Sequence, residues 1–306
     1  MMPLLPGATQ KYLDDLNRIQ SEMNNLQDQM SSGLRVKHAS DDPFAVGSIL
    51  QSQQRIGQLQ QSKTNLGQLQ GELQVGDAAL QQAIKAIDSA VSAASQAGSN
   101  ASNPTQNAIL AQQAQSILNQ LVNLSATTSG GRFVFSGDLD QQALYAVDPT
   151  QPTGVKQLAT AASTRVVTDV NGTQVWLART ASDIFDARDV TGAPTAANAF
   201  AAVNSLLVAL QSNNSAGAMA SITNLKAAGD HLNQELGHYG VGETNTADAL
   251  DAAGKSLVTE QQALSGLRDT DLASAAVQMT QLSIQQQAAL DSRAKMSKLN
   301  LFDFLA

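Results

Sequence analysis

Apolar residues near the start of the chain recur at alternating spacings of four and three. The series consists of Tyr12, Leu16, Ile19, Met23, Leu26 and Met30. Such spacing places one apolar stripe along a single side of an α-helix, as in a coiled coil. Gly33 follows the stripe, and glycine is a common residue at the end of a helix. The pattern predicts a helix that ends near Gly33 and pairs with another helix.

A second apolar stripe with the same period lies near the end of the chain. Its spacings alternate between three and four, and its members are Leu272, Ala275, Met279, Leu282, Gln286, Ala289, Arg293 and Met296. Stripes at both ends favour pairing of the two chain ends with each other. The same pattern also fits an ordinary helix bundle, so the partner helices could belong to this chain or to another copy. We expect a mixture of both contacts.

The interior of the chain continues the helical pattern. Small or branched apolar residues recur every seven positions at Leu59, Leu66, Leu73, Leu80, Ile87 and Ala94. They predict a helix that begins near Pro43, followed by an antiparallel helix over about 105–127. Helical periodicity returns at Phe200 and again from Ile222. The glycines between Gly237 and Gly242 are expected to break or loosen that last helix.

The pattern changes to that of strands in the middle of the chain. Val166 and Val167 precede an Asn171-Gly172 dipeptide, and Val175 follows it. Asn-Gly between two β-prone runs favours a hairpin, because both turn positions require a positive φ. We therefore predict a small β-rich insertion over residues 131–195.

These elements together predict a mainly α fold with a small β-rich insertion. The two chain ends are expected to form an elongated helical bundle or coiled coil. We predict three regions: a terminal coiled coil of residues 1–40 and 268–306, a helical bundle of residues 41–130 and 196–267, and the outer insertion of residues 131–195.

Composition narrows the classes of function. Only 14% of the residues are charged, against about 25% in typical soluble domains. Helices with so few charges are suited to burial against neighbours. The net charge of −8, without any cluster of basic residues, disfavours nucleic acid and anionic membranes as partners. The chain has no cysteine, which excludes disulfides and thiol catalysis.

The sequence contains few residues that could form a metal-binding or catalytic site. His231, Glu235 and His238 have helical spacing and could in principle hold a metal, but a solvated helix face is the simpler interpretation. Asp41 and Asp42 lie near His38, and a role in capping the next helix explains them better than catalysis does. No acid, base and nucleophile converge, so we expect neither an enzyme nor a cofactor.

Several motifs resemble the flagellin and hook-associated family. Residues 32–36, "SGLRV", and residues 40–43, "SDDP", are similar to the family's N-terminal motif. Residues 121–137, "LVNLSATTSGGRFVFSG", and residues 182–186, "SDIFD", resemble the members that join the hook to the filament. The motif residues singled out are Asp41, Asp42, Pro43, Gly131, Arg132, Phe133, Phe135 and Gly137.

The resemblance implies a flagellin-like fold and a structural role at the junction of hook and filament. It implies export by the flagellar type III system and an extracellular location in the flagellum. The implied partners are the first hook-associated protein, flagellin, copies of the chain in a ring and an export chaperone. The chaperone's proposed docking site is an aromatic and aliphatic tail made of Leu299, Leu301, Phe302, Phe304 and Leu305.

Two alternatives stay open. The chain could be flagellin itself, although the small insertion and the context of Gly131, Arg132 and Phe133 argue against it. It could also be a coiled-coil export chaperone, which would need neither a β insertion nor an aromatic tail.

Overall fold

A computed structural model describes residues 6–99 and 103–296. The helices in this part are α1 (Pro6–Ser32), α2 (Pro43–Ser99), α3 (Pro104–Ser125), α4 (Ala181–Ile184), α5 (Ala199–Gln211), α6 (Ser215–Arg268) and α7 (Leu272–Met296). The strands are β1 (Thr128–Ser129), β2 (Arg132–Phe133), β3 (Tyr145–Val147), β4 (Val155–Gln157), β5 (Val166–Thr168) and β6 (Gln174–Leu177). The predicted class, mainly α with a small β-rich insertion, is confirmed.

The chain divides into two compact units. Unit 1 combines Met1–Gly57 with Leu257–Ala306, and unit 2 is Gln58–Ser256. Helices α2 and α6 contribute to both units. The predicted division into three regions, with an outer insertion of residues 131–195, stays a prediction.

Unit 1 contains the pairing of the two chain ends. Helices α1 and α7 run antiparallel, since Tyr12 lies near Arg293 and Gln20 lies near Gln286. Next to this pair, a small apolar cluster joins the start of α2 to the end of α6 through Val36, Ala45, Ile49 and Leu264. Distant parts of the sequence therefore meet in one unit.

Unit 2 has the larger core, which α2, α3, α5 and α6 surround. The heptad positions of α2 from Leu59 to Ala94 are all buried, as the repeat predicted. Toward its end, α2 buries mainly alanines, namely Ala86, Ala90, Ala93, Ala94 and Ala97. Small side chains allow helices to approach closely, so this part of the core depends on close packing more than on large side chains.

The strands form three separate antiparallel pairs: β1 with β2, β3 with β4, and β5 with β6. Gly130 and Gly131 both have positive φ between β1 and β2, as a tight hairpin requires. The expectation of two positive φ angles at Asn171-Gly172 was wrong, because only Gly172 has one. Within that loop, the Asp169 carboxylate accepts hydrogen bonds from the backbone amides of Asn171 and Thr173.

The predicted break between Gly237 and Gly242 was also wrong, because α6 runs unbroken through it. Gly242 lies beneath the indole of Trp176, and a Cβ at this position would clash with the ring. A Cβ on Gly76 of α2 would likewise clash with the Tyr239 ring. Tertiary packing therefore outweighs the poor helix propensity of these glycines.

This packing predicts opposite effects for two glycines of one helix. Gly242→Ala should lower the free energy of unfolding by about 1–3 kcal/mol, because the buried indole has no room to move. Gly237→Ala should leave it unchanged or raise it by up to about 1 kcal/mol, since no atom lies near the added methyl. Urea unfolding followed by circular dichroism measures both. Equal effects of the two substitutions would contradict the close contact.

Candidate assembly interface

The predicted stripes on α1 and α7 face each other in unit 1. Ile19, Ala275 and Leu282 are buried. The partly buried members are Tyr12, Leu16, Met23, Leu26, Met279 and Ala289. Met30 and Leu272 are exposed, so the pairing does not extend to them. The side chain of Met296 lies outside the described residues.

Polar contacts support the same pairing. The Arg293 guanidinium lies 5.7 Å from the centre of the Tyr12 ring. The Gln286 side chain donates to the Gln20 side chain at 3.0 Å. A groove of about 510 Å³ follows the pair and is lined mostly by glutamine and asparagine side chains. Both the apolar stripe and its polar borders therefore match between the two helices.

The other side of α7 is apolar and open to solvent. On this side, Val277 and Ile284 are 67% and 64% exposed. The sequence has no charged residue between Asp271 and Asp291. Helix α1, by contrast, exposes the charged residues Asp14, Asp15 and Arg18. Of the two paired helices, α7 is thus the one whose outer face is suited to burial in an assembly.

The segment between α1 and α2 is tied to the end of α6. Gly33 has a positive φ of 71°, and its carbonyl accepts from the amide of Thr270. The amides of Arg35 and Val36 donate to the carbonyl of Arg268. Arg35 also donates through its guanidinium to the carbonyl of Leu267 at 2.6 Å and to Asp42 at 2.9 Å. The motif of residues 32–36 thus connects the segment after α1 to the end of α6.

Asp42 has the capping role that the sequence predicted, whereas the Asp41 side chain bonds to the loop between α1 and α2. Asp42 accepts from the amide of Ala45 at the start of α2, with Pro43 in the first turn. The hydrogen bond from Arg35 lowers the pKa of Asp42. Asp41 accepts from the amides of His38 and Lys37, which lower its pKa. A carboxylate with a lowered pKa stabilises the fold above its ordinary pKa, and this contribution is lost as the pH falls through the folded value.

The motif of residues 121–137 and the motif of residues 182–186 contact each other in unit 2. The Phe135 and Phe185 rings pack edge to face at 5.7 Å, and both are fully buried. The carbonyl of Phe135 accepts from the amide of Ala181, the first residue of α4. Gly137 has a positive φ, and a Cβ there would clash with the carbonyl oxygen of Ala162. The motifs are therefore parts of one core.

The remaining motif residues lie at the edge of this core. Arg132 is exposed and pairs with Asp140 at 3.1 Å, while Phe133 is partly buried. Gly131 forms the turn between β1 and β2. The part of Gly131, Arg132 and Phe133 in assembly stays a prediction.

Asp186, the last residue of the motif of residues 182–186, is the centre of a buried hydrogen-bond network. Its carboxylate accepts from the Tyr145 hydroxyl at 3.0 Å, from the Asn198 amide at 2.6 Å and from Arg188 at 2.9 Å. Burial, together with the nearby Asp186 charge, raises the pKa of Tyr145 far above its ordinary value. The phenol therefore remains protonated and keeps donating.

A cluster that the sequence did not reveal docks the β5–β6 hairpin on α6. Trp176 packs on the His238 ring at 4.6 Å and on the Tyr239 ring at 5.0 Å. An ion pair joins Arg165 to Glu72 of α2, and another joins Arg179 to Glu235 of α6 at 3.4 Å. Partners so distant in sequence leave no periodic signal, although the chain's one tryptophan was a hint.

The metal interpretation of His231, Glu235 and His238 finds no support in the described residues. His231 contacts the carbonyl of Asp183 at 2.8 Å, and Glu235 pairs with Arg179. The part of the chain that the structure covers contains no group of three side chains that could share a metal. In that same part, none of the helices has the length and apolar character to cross a membrane.

Comparisons with known proteins agree with one another. Residues 7–140 match the bacterial flagellin N-terminal helical region. Flagellar hook-associated protein 3 of Escherichia coli K12 is 27% identical over 315 aligned positions, which cover 96% of each chain. A hook-associated protein 3 from Legionella pneumophila has a similar fold with a TM-score of 0.58 and 14% identity, covering 72% of this chain and 98% of that one. FlgL of Bacillus cereus has a TM-score of 0.52 and 16% identity, with 71% and 96% covered.

Proposed function

We propose that this chain is a member of the flagellin and hook-associated protein family and a structural component of the bacterial flagellum that joins the hook to the filament. The observation that carries the proposal is the match to a hook-associated protein over 96% of both chains. A partial match, restricted to the N-terminal helices, would have fitted flagellin equally well. The proposed role is mechanical and requires no catalysis, and its location is outside the cell, within the flagellum.

In this role the chain contacts hook and filament components at its two sides. The proposed neighbours are the first hook-associated protein, flagellin and further copies of the chain in a ring. The exposed face of α7 supports such contacts, because Val277 and Ile284 are apolar and no charge interrupts them. An apolar helix face of this kind is stabilised when another helix covers it.

This contact predicts a defect in assembly without a defect in folding. Ile284→Asp places a charge on the exposed face of α7 and should reduce the number of attached filaments about tenfold, because burying an unpaired charge is costly. Asn17→Asp adds the same charge to the exposed face of α1 and should have little effect. Filaments are counted by electron microscopy, and circular dichroism verifies folding. Equal filament numbers in both strains would contradict the role of the α7 face.

The function itself is tested by deleting the gene. We expect complete hooks without filaments, and flagellin released into the culture medium. Bare hooks without any flagellin, inside or outside the cell, would instead identify the chain as the filament subunit. Normal filaments would contradict both roles, and complementation with the intact gene is the control.

We also propose that an export chaperone binds the tail that contains Leu299, Leu301, Phe302, Phe304 and Leu305. These residues lie outside the described part of the chain, so the support is the sequence alone, in which two phenylalanines and three leucines follow one another closely. A helix or groove on the chaperone could bind such a tail. Unchanged chaperone affinity after deletion of residues 299–306 would contradict the proposal.

A further inference from the structure

Two long stretches of the sequence contain no charged residue. One lies between Asp88 and Arg132 and the other between Asp189 and Lys226. They include the end of α2, the whole of α3 and α5, and the start of α6. In a chain of net charge −8, such stretches are unusual on elements that reach the surface.

The structure brings these stretches together at one end of unit 2. Gly98 of α2 lies against Met219 of α6, where a Cβ on the glycine would clash with the methionine. Asn107 near the start of α3 donates to Asn213 after α5 at 3.3 Å. Helices α3 and α5 pack side by side. We call this part of unit 2 the uncharged end.

The uncharged end exposes aliphatic side chains and a groove. Ile109, Val208 and Met219 are each more than half exposed. A groove of about 400 Å³ lies between α3 and α5 and is lined by Pro104, Ala108, Gln112, Gln115, Leu210 and Gln211 among others. Depletion of charge together with exposed aliphatic residues is typical of the centre of a protein interface.

The polar groups of the uncharged end are amides. Gln112, Gln115, Gln211 and Asn213 line the groove. A carboxamide donates and accepts hydrogen bonds, so one amide surface can bind another of the same kind. The buried Oδ1 of Asn107, whose amide nitrogen contacts Asn213, has no partner within the described chain. This chemistry suits an uncharged, amide-bearing partner and disfavours an acidic or basic one.

We infer that the uncharged end is a contact surface between two copies of this chain. Copies that each carry a charge of −8 repel one another, and this surface lets them approach without opposing like charges. A second copy also carries aliphatic and amide groups of the same kind as those that line the groove. The inference rests on the proposed function, because that function places several copies side by side.

Photocrosslinking in assembled flagella tests the inference. Val208 is replaced with a photoreactive phenylalanine analogue in cells that carry two copies of the gene with different epitope tags. Val241 is the matched control, because it is an equally exposed valine of unit 2 (60% against 55%) whose neighbour Glu243 is charged. After irradiation, we expect an adduct that carries both tags from position 208, and about tenfold less of it from position 241.

Each outcome decides one point. An adduct from position 208 with a single tag, or none, overturns the inference but leaves the proposed function intact, provided that the chain is present in the purified flagella. Equal double-tagged adducts from both positions overturn the assignment to this surface. Absence of the chain from purified flagella contradicts the proposed function, and the inference fails with it.

A charge substitution provides an independent measurement. Val208→Asp should reduce incorporation of the chain into flagella about tenfold, whereas Val241→Asp should not. Both valines are exposed, so neither substitution should unfold the protein. Equal incorporation of the two variants overturns the inference.

Discussion

Replacing Asp186 with alanine is expected to lower the free energy of unfolding by about 3 kcal/mol or more. The carboxylate is buried and accepts hydrogen bonds from Tyr145, Arg188 and Asn198. Its removal leaves the buried Tyr145 hydroxyl without an acceptor and deprives the Asn198 amide of one of its two, the other being the carbonyl of Ala187, and each loss costs about 1–3 kcal/mol. Arg188 is partly exposed and can turn to water, so it adds little.

Asp186→Asn sharpens this test. Asparagine has the same shape, but its NH₂ group would face donors, so most of the loss should remain. Asp230→Ala on the exposed face of α6 is the control and should change the free energy of unfolding by less than about 0.5 kcal/mol. Urea unfolding followed by circular dichroism measures the free energy of unfolding of all three variants. A loss below about 1 kcal/mol in Asp186→Ala would show that the network does not stabilise the core.

Trp176→Ala should lower the free energy of unfolding by about 3–5 kcal/mol. The indole is buried against Gly242, His238 and Tyr239, and its removal leaves a cavity between the β5–β6 hairpin and α6. The two ion pairs at the hairpin base, Arg165 with Glu72 and Arg179 with Glu235, cannot fill that space. We therefore expect the hairpin to detach before the helices unfold.

Hydrogen exchange distinguishes this local detachment from a general loss of stability. The amides of β5 and β6 should exchange faster in Trp176→Ala than in Val166→Ala, a truncation at an exposed position of the same hairpin. The unchanged protein offers a second readout, because Trp176 is its one tryptophan and its fluorescence reports on the hairpin. Uniform acceleration of exchange across the chain would contradict local detachment.

The periodic parts of the fold could be predicted from the sequence. Apolar spacing placed the pairing stripe on Ile19 and Leu282 and the buried side of α2 on its heptad leucines. Heptad periodicity reports which side of a helix is buried, independent of the partner's identity. For the same reason it could not decide whether the partner is another copy, and the assembly role of these stripes remains a prediction.

The parts that could not be predicted depend on contacts between distant residues. Gly242 resembled a helix breaker, yet its missing side chain makes room for Trp176, which lies 66 positions earlier. Local propensity disfavours a helix at that glycine, and packing reverses the outcome. Asp186 accepts a hydrogen bond from Tyr145, which lies 41 positions earlier, so no local sequence pattern predicts the Asp186 network. The tight turn with two positive φ angles formed at Gly130-Gly131 because glycine adopts them without strain.

The pairing of α1 with α7 has a consequence for the order in which the chain folds. Gln20 and Gln286 are separated by 266 positions, so this contact closes a loop that includes almost the entire chain. Loop closure of that size is slow compared with contacts inside unit 2, whose segments lie closer together. If the unfolded chain leaves the cell one end first, the leading terminal helix stays unpaired until the last residues emerge. Unit 1 can then be completed only after both terminal helices have emerged, and a chain truncated before α7 cannot form the pair.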